Sequence, residues 1–182
     1  MKRTSPADIE RFIRRLVAGF TIHPEKLGID TEVAGGCISV QFRPAAEDTG
    51  ALIGTAGRMH KSFQAVLSAL AARGGWELHL APVVEPQDKH KTVEQIGSLF
   101  GATCDEQIGS LFGATCDELF ENPFGWAWDV DERRSNINLM ISKSEARNVT
   151  DAELGEGLSR IFNAIGHCHG RKIYVNLERA KT

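Results

Sequence analysis

Along the chain the apolar positions change period in a regular order. Ile9, Phe12, Ile13, Leu16, Val17 and Phe20 recur three and four apart, which predicts one face of an α-helix. Ser5 is placed to cap that helix and Pro6 to open it. Arg11, Arg14 and Arg15 fall on its other side and read as exposed surface. The period then drops to two. Ile29, Thr31 and Val33 alternate with Asp30 and Glu32, Ala34-Gly35-Gly36 turns the chain, and Ile38, Val40 and Phe42 alternate with Ser39 and Gln41. That pattern predicts a β-hairpin. Asp48 is placed to cap a short helix through Leu52 and Ile53. Met59, Phe63, Val66, Leu67 and Leu70 return to helical spacing as far as Gly74-Gly75, and Trp76, Leu78 and Leu80 alternate as a third strand.

The second half repeats most of this order. A proline-containing stretch predicts a linker at 85–91, between units at 1–84 and 92–182. Residues 94–105 read EQIGSLFGATCD and residues 106–117 read EQIGSLFGATCD again, so two twelve-residue copies stand in tandem without a difference. Thr92…Gln95, Thr103…Glu106 and Thr115…Glu118 have capping-box spacing, and Ile96, Leu99 and Phe100 share a helical face, as do Ile108, Leu111 and Phe112. Gly125–Asp131 and Ile137–Ile141 predict strands, with Trp126 and Trp128 on one face as core or interface residues. Thr150 or Asp151 caps a helix carrying Leu154, Leu158, Ile161, Phe162 and Ile165, which Gly166 and Gly170 end. Ile173, Val175 and Leu177 form the last strand. The expected class is α+β: α-β-β-α-α-β, then α-β-β-α-β.

One stretch carries chemistry. Gly54-Thr55-Ala56-Gly57 is a G-x-x-G turn between an apolar pair, Leu52-Ile53, and the helix that opens at Arg58. Glycines let a backbone turn sharply and approach a ligand, and a helix N-terminus offers free N–H groups and a positive dipole end. That combination suits a phosphate. The stretch Glu47-Asp48-Thr49-Gly50-Ala51-Leu52-Ile53-Gly54-Thr55-Ala56-Gly57-Arg58, in the element order above, resembles a type II KH domain. Residues 6–82 resemble the small single-KH RNA-binding proteins of bacteria. The resemblance implies that Gly54, Thr55, Ala56 and Gly57 clamp the backbone of single-stranded RNA. It also implies that Leu52, Ile53 and Val40 shape an apolar groove, that Arg58 and Lys61 supply rim charge, and that His60 offers a polar edge or a stacking face. The loop departs from the family pattern in having no Lys or Arg between its glycines. The second half has the same order without a G-x-x-G, which suggests a degenerate KH-like unit.

Charge agrees with that placement. Residues 1–84 carry ten Lys/Arg against eight Asp/Glu, and residues 85–182 carry eleven against sixteen, so any nucleic-acid face belongs to the first half. The four cysteines form no C-x-x-C, and His167-Cys168-His169 is too contracted to surround one metal ion. No nucleophile elbow, phosphate-loop or metalloprotease motif is present, and nothing points to catalysis or a cofactor. With no apolar leader and no membrane-length apolar run, the expected setting is the cytoplasm, and the resemblance implies a bacterial protein. The expected function is non-enzymatic binding of single-stranded RNA. The alternative is a protein-interaction or self-association module whose loop has lost RNA. With either function, the duplicated segment is expected to form a homodimer through Ile108, Leu111 and Phe112, which would otherwise be exposed, or else to break near Gly101–Thr103.

Overall fold

The computed structural model describes residues 4–84, 104–120, 125–130, 134–141 and 149–179, with the backbone alone for 104–106, 125–130, 134–141 and 178–179. Helix α1 spans Pro6–Val17 and opens with a capping box in which Ser5 and Asp8 satisfy each other's backbone amides. Strands β1 (Gly28–Ala34) and β2 (Cys37–Arg43) pair antiparallel about Gly35 and Gly36, both with positive φ, as a two-residue hairpin turn requires. Helices α2 (Ala46–Ile53) and α3 (Arg58–Arg73) then cross over the sheet and deliver β3 (Glu77–Leu80) parallel to β2. In the second half α4 (Cys104–Leu119) precedes the antiparallel pair β4 (Gly125–Val130) and β5 (Arg134–Ile141). Helix α5 (Asp151–Cys168) returns the chain to β6 (Lys172–Arg179), parallel to β5. The fold is therefore α+β, with two three-stranded mixed sheets among the described residues, ordered β1-β2-β3 and β4-β5-β6.

The two halves superpose in sequence number. Adding 95 takes the buried residues Met59, Phe63, Val66, Leu67 and Leu70 of α3 onto the buried Leu154, Leu158, Ile161, Phe162 and Ile165 of α5. The left-handed Gly75 falls on the left-handed Gly170. The same offset relates the polar contacts that tie each helix to its edge strand. The Gln64 amide accepts from the Leu80 N–H at 2.7 Å and donates to the Leu78 carbonyl at 2.9 Å, while Ser159 Oγ accepts from the Val175 N–H at 3.3 Å. Gln64 thus occupies the outward amide groups of β3, an edge that would otherwise invite another strand.

One apolar cluster crosses both halves. It takes in α1, α3 and α5 together with Ile108, Phe112, Cys116, Leu119 and Phe120. Helices α3 and α5 touch closely because position 157 is glycine: a Cβ there would sit 3.1 Å from the Ser62 carbonyl oxygen and 3.3 Å from Val66 Cγ2. Helix α4 is held at its C-terminal end by an Arg15–Glu118 ion pair at 3.0 Å and by Arg73, which donates to the Asp117 and Glu118 carbonyls.

Several expectations change. Asp48 does not cap α2; it is buried, and its carboxylate accepts from the Ile22 and His23 amides at 2.7 and 2.8 Å, pinning the segment after α1. Arg15 is half-buried between α1 and α4 rather than surface. Gly166 does not end α5. The helix continues past it, and Gly166 instead lets Ile173 approach to 2.8 Å of where a Cβ would stand. Ile108 and Phe112 are not exposed apolar residues awaiting a second chain; both are buried in the protein's own core, and Leu111 lies half-buried against it. The second copy of the duplication thus lies within α4. The first copy, up to Thr103, the linker at 85–91 and the side chains of Trp126 and Trp128 lie outside the described residues.

Candidate nucleic-acid interface

The G-x-x-G turn is a left-handed corner between two helices. Gly54 has φ 70° and ψ 170°, Ala56 φ 54° and ψ 31°, and Gly57 φ 71° and ψ 13°. Gly54 sits in a region of backbone space open only to glycine, and a Cβ there would lie 2.7 Å from Met59 Cβ. The Gly57 amide donates to the Gly54 carbonyl and the Arg58 amide to the Thr55 carbonyl. The amides of Thr55 and Ala56, both exposed residues, have no partner among the described residues. They are the loop donors left for a ligand.

Helix α3 begins at once, with no side-chain cap and no acidic residue in its first turn. The corresponding start of α5 is built in the opposite sense. Thr150 Oγ1 receives the Glu153 amide, and the Glu153 carboxylate accepts from the Thr150 amide and hydroxyl at 2.9 and 2.8 Å. Those bonds, the backbone one first, hold the Glu153 carboxyl below its usual range. A carboxylate therefore already stands at the N-terminus of α5, whereas the N-terminus of α3 is open to an outside anion.

The other expected site residues divide. Arg58 and Lys61 are exposed, and Arg58 folds back so that its Nε donates to the Thr55 carbonyl at 3.2 Å. Ile53 is partly exposed beside the loop. The polar edge of His60 is engaged, with Nε2 3.0 Å from the Ala81 carbonyl oxygen. Leu52 and Val40 are wholly buried and present no accessible surface beside the loop.

The concavity lies elsewhere. A cleft of about 1040 Å³ has the outer face of α3 as its floor, the edge of β3 as one wall and the N-terminal half of α5 as the other. Arg58 and Lys61 bring it up to the loop, and Arg160 and Glu156 close it from the second half. Its charged lining is balanced: Arg58, Lys61 and Arg160 face Glu77, Glu153 and Glu156. Sequence reasoning missed Gln64, Glu156 and Arg160. Glu156 and Arg160 stand four apart on a helix, the spacing of an ordinary surface ion pair, so nothing local marks them. Among the described residues no helix is long and apolar enough to cross a membrane, and no cluster of His, Cys, Asp or Glu is arranged to hold a metal ion.

The chain matches no protein-family model and no curated protein.

Proposed function

We propose that the chain binds single-stranded RNA without chemistry, in the manner of a type II KH domain. The 54–57 turn receives the sugar–phosphate backbone, and the adjoining cleft takes the bases. The observation that carries this reading is the junction of loop and helix. Two unpartnered amides, at Thr55 and Ala56, stand on a left-handed glycine corner at the uncapped, acid-free start of α3. Beside them opens a cleft edged by Arg58 and Lys61. Its balanced charge favours neutral bases with donor and acceptor edges over a run of phosphates. Strand addition fits less well, because Gln64 already occupies the outward amides of β3.

Replacing Thr55 and Ala56 together by aspartate places like charge where the phosphate would sit. RNA affinity is expected to fall at least tenfold, about 1.4 kcal/mol, with the circular-dichroism spectrum unchanged. Thr55→Lys is expected to strengthen binding and steepen its salt dependence. Unchanged affinity in the aspartate variant would remove the loop from the site. Binding indifferent to salt would favour a protein-interaction module instead.

A further inference from the structure

We propose that Arg160, carried by α5 of the second half, belongs to the RNA site and supplies the backbone-binding cation that the Gly54–Gly57 turn lacks. The inference rests on the RNA-binding reading of that turn. Its starting point is a deficit: neither Thr55 nor Ala56 carries charge, and the Arg58 guanidinium is partly committed to the Thr55 carbonyl. The packing of α5 on α3 makes up that deficit from the second half, 102 positions beyond Arg58.

Arg160 Nη1 lies 3.2 Å from the Arg58 carbonyl oxygen and 3.5 Å from Ser62 Oγ, so its guanidinium rests on the first turn of α3, next to the loop. It lines the main cleft beside Arg58 and Lys61. It also lines a second, smaller groove of about 330 Å³ between α5 and β6. Arg160 therefore stands on the ridge where the two concavities meet. Its ion-pair partner is Glu156, 2.5 Å from Nη2, and the Glu156 side chain is 68% exposed while that of Arg160 is 30% exposed. An exposed helical ion pair of this kind is weak, so a phosphate can displace Glu156 at small cost. The contacts to Arg58 and Ser62 are made by Nη1, which leaves part of the five-donor fork for an anion. Glu156 thus acts as a stand-in for the ligand's negative charge, and the pair is poised between internal and external partners.

The test uses the full-length protein and a randomised pool of short single-stranded oligoribonucleotides, with affinity measured across a salt series. Arg160→Gln is expected to weaken binding about fivefold and to make the slope of log affinity against log salt shallower by about 0.7, the value for one phosphate contact on a single strand. Glu156→Gln leaves the inter-helix contacts of Arg160 in place and is expected to tighten binding. If Arg160→Gln lowers the melting temperature but leaves the salt slope unchanged, Arg160 is only a staple between the halves and the inference fails. If Glu156→Gln does not tighten binding, it fails as well, even where the arginine variant does not fold. The Thr55/Ala56 aspartate variant, run alongside, separates the two levels. Loss of binding there with no effect at 156 and 160 overturns this inference alone, whereas no effect in any variant overturns the RNA reading of the loop.

Discussion

Removing one side chain from α4 should cost more than removing twelve residues around it. Phe112 is fully buried and meets Phe162 edge-on, with ring centroids 4.9 Å apart, at the contact between α4 and α5. Phe112→Ala empties that position. Truncating a buried Phe costs about 3–5 kcal/mol, and the lost aromatic pair puts this site in the upper part of that range. At about 4 kcal/mol, and with roughly 2–4 °C of melting temperature per kcal/mol for a chain of this size, the midpoint should fall by about 8–16 °C. Deleting Glu106–Asp117 behaves differently because the copies are identical. The spliced chain still reads EQIGSLFGATCD directly before Glu118, so the remaining copy presents the same Ile, Phe and Cys to the same core. Its midpoint should stay within about 2 °C of the parent, the range of a surface change. Differential scanning calorimetry of the two variants decides the matter. In the full chain the first copy could slide into the vacated place, so the Phe substitution is also made in the shortened chain, which has no spare. A shortened chain that unfolds, or a Phe variant that melts like the parent in both backgrounds, would refute the placement of α4.

Two further outcomes follow from the same geometry. Gly54→Ala should destabilise by about 2–3 kcal/mol, since the position needs a glycine-only backbone and a Cβ would lie 2.7 Å from Met59 Cβ, whereas Gly57→Ala, in open space, should cost only about 1 kcal/mol; urea midpoints showing equal losses would contradict this. The Cys116 thiol is pushed up to about 12 by burial and, secondarily, by Asp117, so near pH 8 roughly one molecule in ten thousand carries the thiolate. Iodoacetamide should therefore modify the exposed Cys168 long before Cys116, and peptide mapping that finds both labelled at one rate would show α4 to be undocked.

The elements themselves were legible in the sequence because their signals are local. Ser5, Gly35-Gly36, Gly75 and Thr150 each act within a few residues, and each does so in the fold. The left-handed corner at Gly54 and Gly57 was legible for the same reason. What the local pattern could not contain was the partner across space. Asp48 has the look of a helix cap, and only the return of the segment after α1 turns it into a buried acceptor for Ile22 and His23. Arg160 has the look of half a surface ion pair until α5 lies on α3. The resemblance makes Leu52 and Val40 part of a groove wall, but both are wholly buried, and the described concavity lies between the halves. The duplication shows the division most sharply. Two identical segments carry identical propensities, so no local rule distinguishes them. A Glu follows each copy, and what sets the second apart is that Leu119 and Phe120 come after its Glu118, where Gln107 and Ile108 come after Glu106. Their worth appears only once Arg15 and Arg73 are in place to hold Glu118 and the core is assembled to bury Leu119 and Phe120.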